Sequence, residues 1–153
     1  MHDYISGIQQ VGIGVYDAQS CMRKYKEIFG MDVLIFDDEA EAALMTRYTG
    51  GEVHNRRAIL SMNLSGGGGF EIWQFKSRSP VAPVASPQFG DLGINAAKIK
   101  CRNTLLAHEH YKKTMPWVSG LQANPAGEPH FWVKDHHGNT FNIVKGWHWF
   151  QQT

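Results

Sequence analysis

The chain has 153 residues, a net charge of +1, and 42% hydrophobic and 19% charged residues. That balance excludes a disordered chain, an apolar run long enough to cross a bilayer, and the basic surface that nucleic acid or an anionic membrane would need. What is left is a globular protein the size of one ordinary domain, with a small neutral or weakly charged molecule as the expected ligand.

Met1 to Gly7 lacks the basic start and apolar stretch of a secretory signal, so the expected location is cytoplasmic. Ile8 to Val15 alternates and is rich in β-branched residues, which predicts a strand with Val11, Ile13 and Val15 on one face and Gln10, Gly12 and Gly14 on the other. Asp17 is a good helix N-cap. Cys21, Met22, Tyr25, Ile28 and Phe29 then recur at helical spacing until Gly30 supplies the stop. Met31 to Phe36, Ala58 to Asn63 and Gly69 to Phe75 read as three further strands, the last two joined by the turn Gly66 to Gly69. Asp37 to Arg56 reads as a long excursion with a short helical turn over Glu39 to Met45.

Ser77 to Gly90 carries Pro80, Pro83 and Pro87 among small residues, a composition suited to a stiff extended connector. Ile94 to Cys101 then reads as a strand, and Asn103 as the N-cap of a helix that ends near Met115 and Pro116. Leu121 to Glu128 is rich in turn residues, and Asp135 to Asn139 is a tight turn between strands at His130 to Lys134 and Thr140 to Val144. Cys21 and Cys101 fall at inward positions and are expected as unpaired buried thiols. The aromatic end, with Trp147, Trp149 and Phe150, is expected to dock on something: the protein itself, a second copy in a homodimer, or further modules of a longer parent chain.

The chain also nearly says the same thing twice. Gly7 to Asp17 matches Gly93 to Asn103 at an offset of 86, Tyr25 matches Tyr111 at the same offset, and Ile59 to Ile72 aligns without gaps on His130 to Ile143 at an offset of 71. The expected organisation is one domain over 1–153, made of module one (1–76), a linker (77–90) and module two (91–153) that share a core.

Two βαβββ modules, each with a capped helix after its first strand, the Phe70-Glu71-Ile72 strand after a glycine turn, and the closing Val133-Lys134-Asp135-His136-His137-Gly138-Asn139 resemble the vicinal oxygen chelate superfamily. That superfamily includes glyoxalase I, bleomycin-resistance proteins, epimerases and extradiol dioxygenases, and the resemblance runs from Ile5 to about Val144. It implies an α+β fold in which two paired βαβββ modules form a cupped mixed β-sheet with helices packed outside and a ligand pocket on the concave face. The cup should be lined by Gln10, Gly12, Gly14, Ile59, Ser61, Asn63, Glu71 and Trp73 of module one. Module two should contribute Ala96, Lys98, Lys100, His130, Trp132, Lys134, Asn142 and Val144.

Metal-using relatives hold a divalent ion on four side chains, and those places are occupied here by Gln10, Glu71, Ala96 and Asn142. Alanine offers no donor and asparagine is a weak neutral substitute for a carboxylate, so no metal cofactor is expected. A divalent metal on Gln10 and Glu71, with a residue such as His130 as third ligand, is the alternative. Lys98 stands where module one has Gly12, and a buried ammonium there needs a partner. Glu71 is the expected one, and this pair is either structural or the catalytic set, with Lys98 as charge clamp, base or imine-forming amine. Gln10, Trp73, His130, Trp132 and Asn142 are the candidate ligand-binding residues, with Trp73, His130 and Trp132 as an aromatic wall. His136 and His137 belong to the turn, His108 and His110 to the helix surface, and the Gly66 to Gly69 loop leads into a strand and so makes no phosphate cradle.

The functional expectation is a glyoxalase or bleomycin-resistance type of protein that binds a small carbonyl-bearing or aromatic molecule, by sequestration or with a metal-free lyase or isomerase reaction. A metal-dependent lyase, epimerase or dioxygenase is the second reading. The third is a non-catalytic assembly module whose cup is filled and whose Asp37 to Arg56 segment and aromatic end serve as contacts.

Overall fold

The computed structural model describes residues 8–146. Trp147, Trp149 and Phe150, expected to dock, lie outside the described residues. Contacts divide the chain into two compact units, Met1–Ala82 and Pro83–Thr153, with the boundary in the proline-rich segment.

In the first unit, β1 (Gln10–Gly14) leads to α1 (Ala18–Phe29), followed by β2 (Val33–Glu41), a 3₁₀ helix (Ala43–Tyr48), β3 (Asn55–Asn63) and β4 (Gly68–Phe75). The strands form one mixed sheet in the order β1-β4-β3-β2, with β1 and β4 parallel and the rest antiparallel. Asp17 Oδ1 accepts the Ser20 N–H at 2.9 Å to start α1, and Gly30, at φ 65°, ends it in the left-handed conformation. Ala18, Cys21, Tyr25 and Phe29 form the buried stripe of the helix, and Tyr25 meets Phe29 and Phe70 edge-on at 5.0 and 5.4 Å. Ile13, Val15, Ile59 and Ile72 are buried with them. Each such side chain contributes about 1.5 to 3 kcal/mol by leaving water.

The excursion expected over Asp37 to Arg56 is shorter than the sequence suggests. β2 continues to Glu41 and the helical turn begins only at Ala43, because the acidic run Asp37 to Glu39 is neutralised from β3 and from the residue just after β4. Asp37 takes a two-pronged contact from Arg57 at 2.7 and 2.6 Å, Asp38 meets Arg56 at 2.7 Å, and Glu39 meets Lys76 at 3.4 Å.

The second unit repeats the plan with β5 (Ala97–Cys101), α2 (Thr104–Thr114), β6 (Trp117–Val118), β7 (Gln122–Ala123), β8 (Pro129–Lys134) and β9 (Thr140–Lys145). Its sheet runs β5-β9-β8-β6, with β7 also on β8. The second strand of this copy is thus reduced to two short pieces, interrupted at Gly120. Asn103 Oδ1 accepts the N–H groups of Leu105 and Leu106, both at 3.1 Å. Asp135 Oδ1 accepts from His137 and Asn139, which closes the expected turn.

His108 is not on the helix surface as expected. It is 5% exposed, donates from Nε2 to the Ser119 carbonyl at 2.9 Å, and packs edge-on against Phe131 at 4.9 Å. The buried line of this helix is Thr104, His108, Tyr111 and Met115; Thr104, Tyr111 and Met115 match Ala18, Tyr25 and Phe29 at the offset of 86, whereas His108 falls one residue past the counterpart of Cys21. Neither cysteine is in a disulfide; Cys21 is buried and Cys101 half-buried, and burial raises the Cys101 pKa.

Candidate functional site

On the first sheet, the strand register sorts the residues by face. Ile13, Ile72 and Ile59 share the helix-covered face, whereas Gly12, Glu71 and Leu60 lie side by side on the opposite one, as do Gly14, Trp73 and Ala58. The expected placement of Ile59, Ser61 and Asn63 on the ligand-facing side is therefore wrong. Ser61 Oγ instead donates to the buried Met31 carbonyl.

The cause is a one-residue slip in the repeat. Glu71 pairs with Leu60 in the first sheet, but its counterpart Asn142 pairs with Trp132 in the second. The true equivalences on the third strand are Ala58 with His130 and Leu60 with Trp132, an offset of 72, while the last strands keep 71. A slip of one residue turns every side chain to the other face.

Gln10 and Glu71 are brought together: Gln10 Nε2 donates to Glu71 Oε2 at 2.7 Å. Beside them, Gly12 and Gly14 are exposed, and a Cβ at either would meet nothing within 4 Å. Neither has the positive φ that demands glycine. The strand therefore leaves an open floor of bare backbone next to Glu71 and Trp73 for a reason other than internal packing. Arg56, held by Asp38, lies over the Trp73 ring at 5.4 Å, and Phe75 meets that ring edge-on at 6.0 Å. Trp73 Nε1 is buried without an acceptor among the described residues.

On the second sheet, Lys98, Asn142 and Trp132 share one face with Lys100, Val144 and His130. Asn142, 4% exposed, donates from Nδ2 to His130 Nδ1 at 2.9 Å and to the Phe131 carbonyl at 3.1 Å. His130 and Trp132 stand edge-on at 6.2 Å, and Phe89, from the proline-containing segment, covers Trp132 at 5.0 Å. Sequence reading did not find this cover, because Phe89 lies in a segment without periodicity. Lys98 is exposed rather than buried as expected.

The donor set does not fit the superfamily's divalent ion. The Gln10 amide turns its N–H toward Glu71, Ala96 has no donor atom, Asn142 is engaged with Phe131 and His130, and His130 Nδ1 is occupied by that amide. Among the described residues no group of three or more His, Cys, Asp or Glu is placed to hold a metal. No helix among them is long and apolar enough to cross a membrane.

The two βαβββ modules have the fold of the vicinal oxygen chelate superfamily. A glyoxalase family protein from Enterococcus faecalis superposes with a TM-score of 0.68 at 14% identity, over 94% of this chain and 100% of that one. A lactoylglutathione lyase from Agrobacterium tumefaciens gives 0.56 at 15%, over 95% and 97%. An antibiotic binding protein from Streptomyces gives 0.60 at 16%, over 95% and 100%. No protein-family model and no curated protein sequence matches this chain.

Proposed function

We propose that this protein binds a small carbonyl-bearing or aromatic molecule on the polar faces of its sheets, without the superfamily's divalent ion. One observation carries the reading: the Glu71 carboxylate is hydrogen-bonded to Gln10 beside the uncovered Gly12 and Gly14 floor, so the place of a metal ligand has become an open polar surface. On the first sheet Trp73 supplies flat apolar surface for stacking; on the second, Trp132 supplies such a surface, Asn142 and His130 supply polar contacts, and Lys98 supplies an exposed cation for an anionic or carbonyl group. Glu71 is the acid or base if a reaction follows binding. The fold's solved examples include both a lyase and an antibiotic binding protein, and this donor set suits the binding role better.

Two measurements on protein purified without chelator or affinity tag test the proposal. Elemental analysis is expected to find far less than one equivalent of transition metal, and a full equivalent overturns the metal-free reading. Titration with aromatic aldehydes and ketones is expected to give saturable binding that Lys98→Met weakens with folding intact. Unchanged binding in that variant removes Lys98 from the site, and no binding by the wild type favours an assembly module instead.

A further inference from the structure

We infer that His130 presents its Nε2–H to the carbonyl oxygen of the ligand, and that Asn142 is the positioning residue that fixes the imidazole in that state. The inference rests on the reading that the chain binds a carbonyl-bearing molecule and names the group that recognises the carbonyl.

The argument begins with the Phe131 carbonyl. It can only accept, so the Asn142 atom 3.1 Å from it must be the amide nitrogen and not the oxygen. The same nitrogen lies 2.9 Å from His130 Nδ1. A nitrogen facing an NH₂ donor must offer its lone pair, so the ring proton sits on Nε2. Nε2 makes no hydrogen bond to a described residue, nor is it among the buried atoms left without a partner, so it remains open to a ligand.

The surroundings suit an oxygen that carries or gains negative charge. Lys98 and Lys100 stand beside Asn142 and Val144 in the register, on the face that holds His130, so cations accompany the imidazole donor. Trp132 offers an apolar wall beside the ring. An N–H donor beside apolar surface separates ketones from olefins of the same shape, because an olefin leaves the donor unsatisfied.

Nitrogen-15 NMR of the protein at about pH 8, where an ordinary imidazole is neutral, tests the first half. His130 is expected to show protonated Nε2 and bare Nδ1, and the opposite tautomer overturns the inference. Titration with acetophenone and its isostere α-methylstyrene tests the second half. The ketone is expected to bind about tenfold more tightly and to shift the His130 Nε2–H resonance. Equal binding of the two probes overturns the donor role while leaving ligand binding in place. Binding of neither overturns the functional reading and this inference with it.

Asn142→Asp is expected to move the ring proton to Nδ1 and to abolish the preference for the ketone. An unchanged tautomer and preference would overturn the positioning role. His130→Phe keeps a flat ring without a donor and serves if the first variant does not fold. It is expected to bind both probes equally, and a retained ketone preference overturns the inference.

Discussion

The side-chain amide of Gln10 donates to the Glu71 carboxylate at 2.7 Å across the parallel pairing of β1 and β4, so these two residues act as one group on the first sheet's open face. Gln10→Met removes the donor and leaves a half-buried carboxylate without it. The expected loss is about 1.5 kcal/mol, the lower end for a hydrogen bond to a charged group because water reaches the site. Urea denaturation measures it, and an unchanged midpoint would show that solvent replaces the amide at no cost.

Gly12 and Gly14 separate stability from binding. A Cβ at either position meets nothing, and valine favours the extended backbone, so Gly12→Val is expected to hold or raise stability by about 0.5 to 1 kcal/mol. The same variant fills the floor beside Glu71 and is expected to weaken binding of a ligand seated on the first sheet by about tenfold or more, which is about 1.4 kcal/mol. Calorimetry reads both effects, and unimpaired binding would show that the ligand does not lie on β1.

Asp37 and Arg57 set an acid limit. The Arg57 hydrogen bond holds the Asp37 carboxyl below its ordinary value of 3.8, so in acid the unfolded chain takes up a proton more readily than the folded one. The contribution is complete above the ordinary value and is lost as pH falls through the folded one. Asp37→Asn is therefore expected to cost about 0.5 kcal/mol at neutral pH, discounted because the pair is partly solvated, and progressively less as the pH falls through the folded value. Denaturation at a series of pH values should show wild type and variant converging below about pH 4.

His108→Leu leaves the Ser119 carbonyl without its donor and removes a ring packed on Phe131. The expected cost is about 1 to 3 kcal/mol. Thermal unfolding measures it, and a variant as stable as wild type would mean that water reaches Ser119.

Much of the frame is legible in the residues. Asp17, Gly30 and Asn103 mark helix ends by chemistry that acts within a few residues, and the structure uses all three as expected. Strand faces are legible only where polar and apolar residues alternate. Gln10 to Val15 alternates and gives its faces correctly, whereas Ala58 to Met62 is buried on both sides and offers no period. The register error at Ile59 and Ser61 follows from that. The end of β2 and the burial of His108 depend on partners distant in sequence, Arg57 in one case and Ser119 in the other, which no local pattern announces.

Glu71 and Asn142 occupy equivalent places, as do Gly12 and Lys98, and Ala58 and His130. Had either module assembled as a dimer of identical halves, each of these residues would occur twice. Copies of module one would offer two carboxylates with neither Lys98 nor His130, and copies of module two would offer the lysine and histidine twice over without Glu71. Fusion of two unlike modules in a single chain lets each sheet carry a polar face of its own. Each molecule then carries one acid on the first sheet, and one imidazole donor with its neighbouring lysines on the second.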